Sequence, residues 1–145
     1  KNVQTVIQSG NILLESGKGA AEIEAELEGI LKKTFQIDSK AIVKTREQLK
    51  KIVAEVPPDW NARDDIRRYI AFTKSPLTAR DLMKEIRPKE GIDFLKAGDG
   101  VVYMGTLLSG RTKSGVQKII GLPVYKEISL RDYKTVLRIA ALMGG

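Results

Sequence analysis

The sequence predicts an α+β protein with two similarly organised ferredoxin-like halves, the second following the full βαββαβ order and the first the same order without its opening strand and helix. Three observations carry that expectation. Apolar residues come in short runs that alternate between strand and helix periodicity, and none is long enough to span a bilayer. Glycine and proline turn signals fall between those runs. The order of elements after the proline-rich stretch 56–65 also repeats much of the order before it.

The chain opens with the β-branched and aliphatic run 3–8, the turn signal Ser9-Gly10-Asn11, and a second apolar run, 12–14, which together predict a hairpin. From 20 to 35, Ile23, Leu27, Ile30 and Leu31 recur at helical spacing. Glutamates come early in this segment and Lys32 and Lys33 late, which suits the helix dipole. Residues 40–44 (KAIVK) predict a short strand. Thr45 and Gln48 then form a capping pattern ahead of Leu49, Ile52 and Val53, a second helix that Pro57 and Pro58 end. Residues 56–65 (VPPDWNARDD), with the only tryptophan, predict a linker.

Beyond it, 68–73 predicts a strand, and Thr78 with Asp81 heads a helix through Leu82, Met83 and Ile86 that Pro88 stops. Runs 92–96 and 101–104 flank Gly98-Asp99-Gly100 as a hairpin. Thr112 or Ser114 caps a short helix through Val116, Ile119 and Ile120, and Gly121 and Pro123 end it. Residues 125–129 predict a last strand, and Ser129 with Asp132 caps a closing helix through Val136, Leu137, Ala140 and Met143.

These elements divide the chain into 1–58, an incomplete ferredoxin-like half lacking its opening strand and helix, and 59–145, a complete half with an added C-terminal helix. An opening strand is central in such a sheet, so the first half predicts about 30 to 40 further residues before Lys1. The incomplete sheet predicts a homo-oligomer or a partner strand that completes it.

The chain of 145 residues contains neither cysteine nor histidine. Thiol nucleophiles, imidazole acid/base pairs and zinc or haem sites with the usual ligands are therefore excluded. Carboxylates offer no substitute: Asp64 and Asp65 are adjacent and diverge on any regular element, and Asp93 and Asp99 surround a hairpin, so no metal and no cofactor is expected. The N-terminus lacks a secretory pattern, and with no cysteine the expected compartment is the cytoplasm. The net charge of +7 is unevenly distributed. Residues 1–59 balance nine basic against nine acidic side chains, whereas 60–145 carry sixteen against nine. An excess confined to one half favours contact with a polyanion, nucleic acid first, over simple solubility.

Two blocks carry a resemblance. The segment VQTVIQSGNILLES (3–16) is similar to a V-x-T-x-I-Q-S-G-N-V-L-F-x-S pattern, and SGRTKSGVQKIIGLPVYKEISLRDYKTVLRI (109–139) to a block containing S-x-x-x-K-x-x-G-x-P and a closing helix. Both patterns belong to the bacterial domain-of-unknown-function family 1697, which the chain resembles over nearly its whole length. The family's Gly-rich R-G-I-N-V-G-G segment has no counterpart here. Its R-N-W-N-T block reads Arg131-Asp132-Tyr133-Lys134-Thr135, which loses two amides. The resemblance implies an α+β fold and no particular activity.

Four features are candidates for function. Residues 105–112 (GTLLSGRT) match a phosphate-loop pattern except that Arg111 replaces the lysine and the interior is aliphatic. Amides at the start of the 114–120 helix, beside Arg111, Thr112, Lys113 and Ser114, form an anion cradle or else a simple helix cap. Arg131, Lys134 and Arg138 share one face of the closing helix and, with Lys118, extend a basic surface, or else form that helix's wet side. Tyr103, Tyr125 and Tyr133 are candidates for stacking on bases, against the alternative of completing the core. The expected function is a non-catalytic binding protein for nucleic acid or another polyanion. The alternative is a small-molecule binder or enzyme with an anionic ligand in the cleft between halves, gripped by Arg111 or Arg131.

Overall fold

The computed structural model describes residues 3–6, 11–36 and 40–144, with the backbone alone for 3–6. Strands β1 (Val3–Val6) and β2 (Asn11–Leu14) pair antiparallel, with Val3 opposite Leu14. The turn expected between them lies outside the described residues. Helix α1 (Ala20–Phe35) follows the expected boundaries, but none of its residues is buried, and Ile30 and Phe35 are exposed.

Two carboxylates anchor α1. Glu28 accepts the Ala41 amide and Glu24 the Val43 amide, each at 2.7 Å. The Lys74 ammonium lies 2.9 Å from Glu24 and 3.1 Å from Glu28, and also donates to the Ala41 carbonyl. This corrects the strand expected at 40–44. The segment is coil, because two amides that a strand would give to a neighbour go to a helix's side chains. Helix α2 (Arg46–Ala54) begins with the expected capping box, Thr45 Oγ1 accepting from the Gln48 amide and Gln48 Oε1 from the Thr45 amide.

The remaining strands, β3 (Ile66–Thr73), β4 (Asp93–Ala97), β5 (Val101–Leu107) and β6 (Ile128–Asp132), form one antiparallel sheet ordered β4-β5-β3-β6. Alternation along β3 and β5 separates two cores. Ile66, Ile70, Phe72, Val101 and Tyr103 face α2, Trp60 and the final helix α4 (Tyr133–Leu142). Ala71, Val102 and Met104 face α3 (Ala79–Glu85) together with Val116 and Ile119. The sheet is therefore covered on both sides.

Trp60 lies in the segment expected to be a linker and is only 2% exposed. Its ring meets Tyr133 edge-on at 5.0 Å and Tyr103 at 5.9 Å. The Tyr103 hydroxyl donates to the Ile52 carbonyl at 2.7 Å and fastens α2 to the sheet. Helix α3 has the expected Thr78–Asp81 capping box.

Three expectations in the last third are corrected. Residues 114–120 are not an α-helix, because 108–127 run as three 3-10 turns, Leu108–Lys113, Gln117–Gly121 and Pro123–Glu127. The last strand begins at Ile128 rather than 125, since Tyr125 belongs to the third turn. Ser129 is inside β6, so the Ser129–Asp132 cap does not form. Asp132 itself precedes α4, without a side-chain cap bond. Among the described residues no helix is long and apolar enough to cross a membrane.

Candidate functional site

Asp93 is the first residue of β4 and stands opposite Thr106 of β5, so the ladder itself brings the two side chains together. Asp93 is 7% exposed, and its carboxylate accepts four hydrogen bonds. Oδ1 takes the Ser114 hydroxyl at 2.6 Å and the Thr106 hydroxyl at 2.9 Å. Oδ2 takes the amides of Lys89 and Gly115, each at 2.7 Å. Ser114 Oγ in turn accepts the amides of Val116 and Gln117 at 3.0 and 3.3 Å. Burial pushes the Asp93 carboxyl up, but bonds from the Lys89 amide, Ser114, the Gly115 amide and Thr106 outweigh it and hold the group below the usual carboxylate range.

The carboxylate ties together two segments distant in sequence. The contact is close enough to require glycine at 115, where an added Cβ would lie 1.7 Å from the Arg87 carbonyl oxygen. The segments tied this way are 87–89 and 111–118. Arg87, Lys89, Arg111, Lys113 and Lys118 are all exposed, and their side chains make no hydrogen bond or ion pair among the described residues. Thr112 is exposed beside them and Glu90 adds one negative charge, whereas Ser114 is buried as part of the tie.

The other expected site residues lie elsewhere. Lys134 and Arg138 are exposed on α4, which covers the opposite face of the sheet from Val116 and Ile119. Arg131 is on β6 rather than on the helix, which starts two residues later, so the three do not share a helical face. Its guanidinium donates to Asn11 Oδ1 at 2.8 Å and to the Leu130 carbonyl at 3.0 Å.

The amides foreseen as an anion cradle are engaged by the protein's own groups, Asp93 at Gly115 and Ser114 at Val116 and Gln117. The phosphate-loop match is corrected as well. Gly105, Thr106 and Leu107 belong to β5, and Thr106 is fully buried against Asp93. The stacking reading is corrected for Tyr103 and Tyr133, which are 1% and 2% exposed within the core. Tyr125 is half-buried. Among the described residues no group of three His, Cys, Asp or Glu side chains is arranged to hold a metal ion. In the sequence Asp93 stands out only as a carboxylate near a hairpin, and nothing distinguishes Arg87 or Lys89 from other basic residues. The available signal was an acidic residue heading a strand, together with a Ser-Gly pair beyond the following strand.

A family model described as "Protein of unknown function (DUF1697)" matches residues 1–103. A solved structure of a conserved bacterial protein from Streptococcus pneumoniae is similar with a TM-score of 0.83 at 22% identity, over 99% of this chain and 81% of that chain. At that identity the likeness concerns the fold alone. No curated protein sequence matches the chain.

Proposed function

The chain belongs to the DUF1697 family of proteins of unknown function, and on that premise we propose that it is a non-catalytic binding protein for the phosphate backbone of nucleic acid. One observation carries the reading. Five exposed basic side chains without internal partners stand on two segments that a single buried carboxylate ties together. Surface cations left unpaired retain their charge for an external anion, and exposed arginine and lysine are the groups that contact nucleic acid phosphates. The face that ferredoxin-like RNA binders use for base stacking is covered here by α2 and α4. Binding by this chain is therefore electrostatic and largely independent of sequence.

The strand order β4-β5-β3-β6 supports reading 59–145 as a ferredoxin-like unit whose second helix is replaced by the 3-10 turns, and we read 1–58 as a partial copy of the same order. Fluorescence anisotropy with labelled single-stranded and duplex RNA and DNA at low ionic strength tests the function. Saturable binding that weakens as salt is added is expected, and failure of all four probes to bind ends the reading.

A further inference from the structure

A second feature lies away from the 87–89 and 111–118 segments. A polar cleft of about 480 Å³ is lined by Lys44, contributed from before α2, by Ser75, Thr78 and Arg80 around the start of α3, and by Gly98, Asp99 and Gly100 at the β4–β5 turn. Its size falls in the range of small-metabolite sites, about 300–1,000 Å³. We propose that this cleft binds a small phosphorylated polyhydroxy compound, a sugar phosphate in chemical class, with the phosphate between Lys44 and Arg80.

Charge supports the phosphate end. Neither Lys44 nor Arg80 makes a hydrogen bond or ion pair among the described residues, although Lys44 is half-buried. An ammonium without a partner is free to pair with an anion, and the Arg80 guanidinium lining the same cleft adds a planar fork suited to phosphate oxygens. The one carboxylate of the cleft, Asp99, is 3.6 Å from Lys51, so the balance within the cleft is positive.

Hydroxyl chemistry supports the polyol end. Thr78 is engaged with Asp81, its Oγ1 accepting from the Asp81 amide and its side chain bonding the Asp81 carboxylate, whereas Ser75 is exposed with its hydroxyl unengaged and free to bond a ligand. Asp99 can accept from ligand hydroxyls. The turn is also shaped for close approach. Gly100 has φ +72°, and an added Cβ would lie 3.1 Å from the Lys44 ammonium. Thr73 anchors the same turn by donating its amide and its hydroxyl to the Gly100 carbonyl at 3.0 and 3.1 Å.

The inference is independent of the nucleic-acid reading, because no residue of the 87–89 and 111–118 segments lines the cleft. Thermal-shift and calorimetric titrations with ribose 5-phosphate, inorganic phosphate and ribose test it. Ribose 5-phosphate is expected to bind saturably, phosphate more weakly, and ribose not at all. The double variant Lys44→Gln/Arg80→Gln should weaken ribose 5-phosphate binding at least tenfold, whereas Arg111→Gln/Lys113→Gln should change it less than twofold. Amide NMR of the unaltered protein locates the ligand without relying on a variant, and shifts centred on Ser75, Gly98 and Gly100 are expected. No saturable binding of either phosphate-bearing probe, undiminished affinity in the Lys44/Arg80 variant, or shifts centred elsewhere would overturn the assignment.

Discussion

Replacing Asp93 with asparagine keeps the side chain's shape and removes its charge at the point where two segments are tied. The carboxylate accepts from two hydroxyls and two backbone amides. An asparagine oxygen can still serve Lys89 and Gly115, but its NH₂ group then faces Ser114 and Thr106, which must reverse. Ser114 Oγ already accepts from Val116 and Gln117. A hydrogen bond to a charged group contributes about 1.5–3 kcal/mol against about 1 for a neutral one, so the net loss is about 3 kcal/mol. For a chain of this size that corresponds to a fall in melting temperature of about 12 °C.

Urea unfolding followed by the fluorescence of Trp60, the only tryptophan and a buried one, measures the change. The pH dependence provides a second check. The folded carboxyl is held below its ordinary value, so its contribution is complete above the unfolded value of about 3.9 and is lost as pH falls through the lower folded value. The gap between wild type and Asp93→Asn should therefore narrow in acid. A variant within about 0.5 kcal/mol of wild type at neutral pH would refute the reasoning, since that is the range of an inconsequential surface change. A gap that stays constant into acid would do the same.

Gly115→Ala should destabilise by about 3 kcal/mol or more in the same urea assay, because its Cβ would collide with the Arg87 carbonyl. Tyr103 tests the opposite core: burial, with a smaller contribution from Glu55, pushes its phenol up to about 12. Since the folded value lies above the unfolded one of about 10, this group's contribution is intact below that value and is lost as pH rises through the folded one. Ultraviolet titration should show one tyrosine ionising late, together with alkaline loss of stability. Lys74→Ala should cost about 1–2 kcal/mol and speed hydrogen exchange at Ala41 and Val43, because it frees the two glutamates that hold their amides.

The parts legible in the sequence are those specified by neighbouring residues. The boundaries of α1, α2 and α3 follow from helical spacing and, for the last two, from Thr45–Gln48 and Thr78–Asp81 boxes only four residues long. The misread segments are those whose backbone partners are remote. Residues 40–44 have a strand's composition, but their amides go to glutamates 13 and 19 positions earlier. Residues 114–120 have a helix's pattern, yet the Gly115 amide is taken by Asp93, 22 positions away, and the chain turns in 3-10 steps around that anchor. The candidate site suffered from one boundary. Because α4 begins at Tyr133, Arg131 falls on a strand; Lys134 and Arg138 ride on a helix that covers the opposite face of the sheet from Val116 and Ile119.

The salt dependence of single-stranded RNA binding, compared between the two sides of the sheet, tests the central claim most directly. If the five cations on the tied segments each meet a phosphate, the plot of log affinity against log salt has a slope of about −3.5, from about 0.7 per neutralised phosphate on a single strand. The triple variant Arg111→Gln/Lys113→Gln/Lys118→Gln should reduce that slope by about 2 units, whereas Lys134→Gln/Arg138→Gln on α4 should leave it in place. A slope that survives the triple variant and collapses with the α4 pair would contradict the account.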